Sequence, residues 1–246
     1  KKCRKVNVIG NQYGKVLSTT VAIELSYLIA CFVNLTIVCY DILSLEEKAT
    51  VSVLHEVTCL KYIDTKEFAF LAVGDVTGAI NCFDLCTGIK IKWFKVHAEQ
   101  ISGLIYLKKM NSILTCSIDG YVKFRKLNHF LDDLKIKDNN NNNSNSSGNI
   151  CPDGDNDASD RDGDIRSSFA HDGGVLKMVY SKKLRIIVTS GSNRTIKAWS
   201  PYSLDEVGIF VGHVEPVKNM EIICSSQRLI TIDTSGILKL WNLRTF

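Results

Sequence analysis

Histidine is the side chain most often used for acid–base catalysis and metal binding near neutral pH. Four of the five histidines in the chain lie at one fixed distance, 28 residues, before an anchor residue. These histidines are His55, His97, His171 and His213, and their anchors are Phe83, Arg125, Trp199 and Trp241. Because a fixed interval places one histidine in each repeat instead of gathering several at one site, the spacing favours a structural role over catalysis.

Residues 138–164 contain seven aspartates and one arginine, and they invite comparison with a calcium-binding loop. Asp153, Asp155 and Asp157 fit loop positions 1, 3 and 5 of an EF-hand. Position 6, where the turn needs glycine, is Ala158, and position 12 is aspartate instead of glutamate. No helical pattern flanks the segment. We therefore expect a disordered, solvated insertion and no metal site.

Other signatures of chemistry are absent from the sequence. It contains no GxSxG nucleophile motif, no GxxxxGK[ST] phosphate loop and no GxGxxG dinucleotide fingerprint. The nine cysteines form no CxxC pair and lie mostly in apolar runs, as in a reducing compartment. The formal net charge of +4 is too small to require a polyanionic partner. We predict a protein that is not an enzyme, with no cofactor and no small-molecule substrate.

The anchors belong to a repeat that runs through the chain. Tyr40 is a fifth anchor, and successive anchors are separated by 43, 42, 74 and 42 residues. The long interval contains a 32-residue insertion. Apolar runs of four to six residues, separated by turns such as Asp119-Gly120, predict short strands. In the last unit, strands are predicted at 217–223, 229–232 and 237–242, and residues 89–94 predict a fourth strand in an earlier unit. The predicted class is all-β.

The period of about 42 residues and the histidine and tryptophan anchors resemble the WD40 repeat, whose units form the four-stranded blades of a β-propeller. Gly212-His213 keeps the family's Gly-His pair, and Trp241-Asn242 comes close to its Trp-Asp pair. The resemblance implies five recognisable blades with 138–164 inserted. Their approximate limits are 12–54, 55–96, 97–137, 171–212 and 213–246.

The resemblance also bears on the ends of the chain. Residues 4–9 are predicted to form a fourth strand, which in this family commonly completes the C-terminal blade. Most members have seven blades, so we interpret the sequence as a fragment of a larger propeller.

In the family resembled, the histidine, a turn aspartate, a Ser or Thr on the second strand and the tryptophan form a hydrogen-bonded chain inside each blade. In the third blade Arg125 takes the tryptophan place, and in the fifth Ser235 takes the aspartate place. The residues implied are His55, His97, Asp119, His171, Thr189, Asn193, Trp199, His213, Thr231 and Trp241.

The function expected of such a chain is that of a non-catalytic scaffold that binds other proteins. Residues beside the start of the first strand and in the turn between the second and third strands are predicted to contact the partner. They are Gln100, Ser102 and Ile118 in the third blade and Pro216, Lys218 and Thr234 in the fifth. The alternative is an RNA-associated propeller that uses the basic stretch within residues 90–126. Its members are Lys90, Lys92, Lys95, Lys108, Lys109, Lys123, Arg125 and Lys126.

The sequence also carries information on location. The basic N-terminus is followed by Gly10-Asn11-Gln12 instead of an apolar signal segment, so we do not expect secretion. The longest apolar run, 25–40, is shorter than the roughly 20 residues of a membrane span. We expect a cytoplasmic protein, with a nuclear location as the alternative.

Overall fold

The computed structural model describes residues 10–65, 68–127 and 165–245. These residues form antiparallel sheets in which each strand pairs with the next along the chain. The first sheet contains β1 (Val16–Ala22), β2 (Tyr27–Phe32), β3 (Thr36–Asp41) and β4 (Glu47–Ser52). The second contains β5 (Val57–Asp64), β6 (Ala69–Asp75), β7 (Ala79–Phe83) and β8 (Lys90–Lys95). The third contains β9 (Ile101–Leu107), β10 (Ser112–Ser117), β11 (Tyr121–Lys126) and β12 (Ile165–Phe169).

The remaining two sheets follow the same order. The fourth contains β13 (Val175–Ser181), β14 (Ile186–Gly191), β15 (Ile196–Trp199) and β16 (Glu206–Phe210). The fifth contains β17 (Val217–Ile223), β18 (Arg228–Asp233) and β19 (Leu238–Asn242). Short 3₁₀ helices lie at Asn11–Tyr13, Ile23–Leu25 and Lys108–Met110. No helix in the described ranges is long and apolar enough to cross a membrane.

The sheets pack face to face in chain order, as blades do. The first strands of neighbouring sheets contact one another in the series β1, β5, β9, β13 and β17. Within the described residues, no comparable packing joins β1 to β17. The series is therefore open at its first and last sheets. Such an arrangement is expected of part of a larger propeller, whose total blade number stays a prediction.

Burial between sheets explains the continuous apolar runs in the sequence. An inner sheet covers both of its faces, so a strand such as β10 is buried along its whole length. Leu71 and Phe83 pack toward the first sheet, whereas Ile80 packs with Ile113 of the third. At about 25 cal/mol for each Å² of apolar surface removed from water, these inter-sheet layers provide the main stabilisation of the fold.

The fourth strand of the third blade lies beyond the insertion. β12 pairs with β11 from Tyr121 opposite Phe169 to Arg125 opposite Ile165. The predicted limits 97–137 do not include this strand, because the repeat resumes one strand earlier than the histidine register suggested. Residues 138–164 therefore separate two paired strands of one blade instead of two blades.

Most predicted strands of the last unit are confirmed. β17 covers the predicted range 217–223, whereas β18 extends by one residue at each end beyond 229–232 and β19 begins one residue later than predicted. The strand predicted at 4–9 and the insertion at 138–164 both lie outside the described residues.

Candidate functional site

In the third blade, the predicted pair His97 and Asp119 is in contact. His97 Nδ1 lies 2.9 Å from Asp119 Oδ2, and its Nε2 lies 2.9 Å from Thr115 Oγ1 on β10. Asp119 also accepts hydrogen bonds from the backbone N–H groups of Ala98 and Tyr121. The histidine is buried, so this carboxylate connects the entry to β9 with the turn after β10.

The fourth blade contains the complete chain of four predicted residues. The Trp199 indole donates to Thr189 Oγ1 at 2.8 Å, and that hydroxyl lies 2.8 Å from His171 Nε2. His171 Nδ1 lies 3.1 Å from Asn193 Oδ1, an acceptor that also receives the hydroxyl of Thr195. Nδ1 must therefore carry the proton, and in the neutral ring Nε2 accepts from Thr189.

The fifth blade has the same chain with a different acid. Trp241 donates to Thr231 Oγ1 at 2.8 Å, and Thr231 Oγ1 lies 2.7 Å from His213 Nε2. His213 Nδ1 contacts Asp233 Oδ2 at 2.9 Å, whereas Ser235 was assigned the aspartate place from the sequence. Ser235 instead donates its hydroxyl to Asp233 Oδ1 at 2.6 Å. The aspartate lies two residues earlier because the end of β18 also reaches the imidazole.

His55 does not belong to a blade network, which corrects the prediction for the second blade. It is exposed and has no hydrogen bond within the described part of the chain. The other three histidines lie four residues before the first strand of their blade, but β5 begins only two residues after His55. Strands β5 and β6 are each one residue longer than β9 and β10, so counting back from Phe83 overshoots. Val53 takes the place four residues before β5 and packs against the core.

Asp75 organises the second blade in place of a histidine. It is buried and occupies the position of Asp233, eight residues before the anchor. Its carboxylate accepts the Thr77 hydroxyl at 2.6 Å, the Asn81 amide at 2.9 Å and the backbone N–H groups of Thr77 and Ala79. Four donors thus depend on one carboxylate.

This contact pattern predicts opposite effects for two substitutions in the second blade. Asp75→Ala should lower the free energy of unfolding by about 1–3 kcal/mol, because it leaves buried donors without an acceptor. His55→Ala should change it by less than about 0.5 kcal/mol, as expected for an exposed residue. Urea titration of both variants measures the difference. Equal losses would show that His55 does support the blade.

The buried positions of these networks shift several pKa values. Burial lowers the pKa of His171 to about 4 and also lowers that of His97. The hydrogen bond from Ser235, together with those from His213 and Ile237, lowers the pKa of Asp233 to about 2. These histidines are therefore neutral at pH 7 and enclosed by their own blades. Among the described residues, no group of three or more His, Cys, Asp or Glu side chains is arranged to hold a metal ion.

Both groups of predicted partner contacts lie at one end of the sheets, which we call the turn face. The turn face comprises the turns 33–35, 76–78, 118–120, 192–195 and 234–237 and the connections 53–56, 96–100, 170–174 and 211–216. The Gln100 carbonyl accepts the Ile118 N–H at 3.1 Å, and the Pro216 carbonyl accepts the Thr234 N–H at 3.0 Å. The structure thus brings the residues together within each blade, with the fourth blade between the two groups.

The predicted contact residues differ in how accessible they are. Gln100, Lys218 and Thr234 are exposed, whereas Ile118 and Pro216 are half-buried. Ser102 is also half-buried, and its hydroxyl donates to the Val175 carbonyl of the fourth blade. Ser102 therefore links two blades, and a bulky replacement there would disturb their packing.

The basic stretch is not gathered on one surface. Lys108 lies in the connection at the opposite end of β9 from the turn face, where its ammonium is 3.7 Å from Asp64 and 4.0 Å from Glu24. Lys123 donates to the Val96 carbonyl at 2.7 Å, and Lys95 donates to the Thr77 carbonyl. The structure divides the stretch between both ends of the sheets and its second and third blades.

Comparisons with known proteins agree with this architecture. The family described as "WD domain, G-beta repeat" matches residues 163–200. Among solved structures, the chain is similar to a WD40 propeller protein in "Crystal Structure of Mitotic Checkpoint Complex", with a TM-score of 0.68 and 17% identity over 92% of this chain. The match covers 60% of the other chain, so the present chain spans less than two thirds of its length.

The fold and the repeat together define the class of protein. The matched range runs from the last strand of the third blade to the third strand of the fourth, so one sequence repeat is shared between neighbouring blades. The chain is a WD40-repeat chain with the fold of a WD40 β-propeller.

Proposed function

We propose that the chain is a non-catalytic scaffold that binds other proteins through the turn face. The observation that carries this proposal is the exposure of large apolar side chains in the connections of that face. Leu54, Val211 and Val214 are 83%, 73% and 66% exposed. Clusters of such side chains on a rigid frame are typical of protein-binding surfaces, and isolated ones are common on any protein. Here Val211 and Val214 lie beside the predicted contacts Pro216, Lys218 and Thr234 in the fifth blade.

The polar networks support the same interpretation. The three histidines with blade partners point into their own sheets, where they connect strands. The loops are therefore held by rigid strands, while their outward side chains are available for contact. A WD40 propeller provides such a frame, and a multiprotein assembly is the setting that we propose.

A cytoplasmic location accompanies the proposal. The seven cysteines in the described ranges are all free thiols, and four of them are buried. Burial raises the pKa of Cys31 to about 11, so this thiol stays protonated and unreactive at neutral pH. Free, inert thiols fit a reducing compartment.

Affinity capture with the purified chain tests the proposal. A captured protein should be lost with Lys218→Glu or Val214→Asp, because energy in a protein interface is concentrated in few residues. Leu43→Asp is the matched control, since Leu43 is 86% exposed at the opposite end of the first sheet. All three variants should keep the thermal midpoint of the parent chain. Loss of capture with Leu43→Asp alone would contradict the assignment of the turn face.

RNA binding through the basic stretch is the alternative function. The division of its cations between two ends, and the engagement of Lys95, Lys108 and Lys123 with oxygen atoms of the chain, argue against a continuous phosphate-binding surface. Binding of poly-uridine measured at increasing salt distinguishes the two functions. Affinity that falls steeply with salt and disappears on neutralising Lys108, Lys109, Lys123 and Lys126 would favour RNA.

A further inference from the structure

A cavity of about 280 Å³ lies between the second and third blades. From the second blade it is lined by Ile80, Phe94, Lys95 and Val96, and from the third by Ile113, Thr115, Lys123, Phe124, Arg125 and Ile165. Arg125 occupies the anchor position at which the fourth and fifth blades carry tryptophan. Its guanidinium carbon lies 4.6 Å from the centre of the Phe94 ring, so the side chain covers the phenylalanine.

The walls of this cavity match the surroundings of an indole elsewhere in the chain. In the fifth blade, Trp241 donates to Thr231, stacks edge-on against Phe210 at 5.5 Å and lies beneath the ammonium of Lys239. The residues at the same distances from Arg125 in the third blade are Thr115, Phe94 and Lys123, and all three line the cavity.

The match extends to hydrogen bonds. Lys239 donates to the carbonyl of Gly212, the residue before His213. Lys123 likewise donates to the carbonyl of Val96, the residue before His97. The hydroxyl of Thr115 contacts His97 as that of Thr231 contacts His213, but no indole N–H reaches Thr115. The third blade thus keeps the frame of an indole site without its own indole.

We propose that this cavity binds an aromatic side chain, tryptophan in the best case, carried by an acidic segment of a partner protein. The shape and the Thr115 acceptor select the ring. The charge selects its neighbours, because Lys95, Lys123 and Arg125 line the cavity and no lining residue is acidic. The inference rests on the proposed function as a protein-binding scaffold and adds the chemistry of one contact.

The chain's own acidic stretch does not supply the ring. Residues 138–164 contain seven aspartates but no phenylalanine, tyrosine or tryptophan. Cation–π attraction from Lys123 and Arg125 adds to the burial of an aromatic anchor, the type of residue that most often dominates protein interfaces. A partner segment that combines such an anchor with flanking carboxylates fits both features of the site.

Fluorescence anisotropy with labelled short peptides tests the site directly. The probe is an acidic peptide with a central tryptophan, and its two comparison peptides replace the tryptophan by alanine or the acidic residues by lysine. We expect the probe to bind at least about tenfold more tightly than either comparison peptide, a factor equivalent to about 1.4 kcal/mol. Equal affinity for the alanine peptide would overturn the proposal, because it would show binding by charge alone.

Variants of the third blade connect the binding to the cavity. Arg125→Trp should fill the cavity, keep or raise the thermal midpoint and weaken the probe by at least about tenfold. Lys126→Gln is the matched control, since Lys126 is the next residue of β11 and does not line the cavity. If Arg125→Trp does not fold, Lys123→Gln replaces it and should weaken the probe several-fold. Unchanged affinity in a folded cavity variant would overturn the proposal.

The capture experiment keeps the two proposals separate. If a partner is captured equally by the parent chain and by Arg125→Trp, and the peptide does not bind, the cavity inference fails and the scaffold function stands. If the peptide shows the expected discrimination but no partner is captured, the cavity binds aromatic acidic segments and the scaffold function loses its support.

Discussion

Replacing Trp199 by alanine should lower the free energy of unfolding by about 3–5 kcal/mol, the usual cost of truncating a buried large aromatic residue. Trp199 is 3% exposed and packs in the core between the third and fourth sheets. The substitution also removes the N–H donor to Thr189, which holds His171. Guanidinium titration followed by circular dichroism measures the loss.

The other two tryptophans provide graded controls for that measurement. Trp241 has the same hydrogen bond but is only partly buried, so Trp241→Ala should cost less than Trp199→Ala. Trp93 is 56% exposed on the outer strand β8, and Trp93→Ala should stay within about 0.5 kcal/mol of the parent. If Trp199→Ala and Trp93→Ala are equally mild, the anchor does not carry the stability of the fourth blade.

The fourth and fifth blades show how far the sequence alone could be taken. Their histidine, threonine and tryptophan were assigned correctly because the distances between them along the chain are constant. Thr115 lies 18 residues after His97, as Thr189 does after His171, so the same rule would have found it. A constant distance works only while the hairpin between the first two strands keeps its length.

The second blade breaks that condition. Two additional residues in the hairpin of β5 and β6 move the strand start relative to His55, and they leave the spacing to Phe83 unchanged. Interval arithmetic cannot detect an extension that the next connection compensates. Asp75 was missed for a related reason, because a turn carboxylate can approach from either of two positions, as Asp119 and Asp233 show.

The cavity was beyond sequence reasoning for a different physical reason. Spacing identified Arg125 as the residue in the tryptophan position. It could not show that the guanidinium would lie on Phe94 and leave the space beside Thr115 unfilled. The direction of a long side chain depends on its tertiary neighbours, and Phe94 is 31 residues away in another blade.

Acid should destabilise the chain well above the pH at which carboxylates titrate, and His171 should be the main cause. Burial lowers its pKa to about 4, and the neutral ring fits its partners: Nδ1 donates to Asn193 and Nε2 accepts from Thr189. The unfolded chain therefore binds the proton first as the pH falls below about 6.5. Stability that is fully present at pH 7 should decrease by up to about 3 kcal/mol by pH 4, and His97, whose pKa is lowered too, adds to the slope.

Urea midpoints measured between pH 7 and pH 4 test this expectation. His171→Gln should flatten the decrease, whereas His55→Gln should leave it unchanged, because His55 is exposed and outside the networks. NMR titration of the His171 imidazole in the parent chain provides a measurement that does not depend on folding of the variant. A His171 pKa near 6.5, or a stability that stays constant from pH 7 to pH 4.5, would contradict the account. The Asp233 carboxylate, whose pKa is lowered to about 2, contributes in a separate and more acidic range. Its stabilisation is present above the pKa of an unfolded aspartate, near 4, and is lost only as the pH approaches 2.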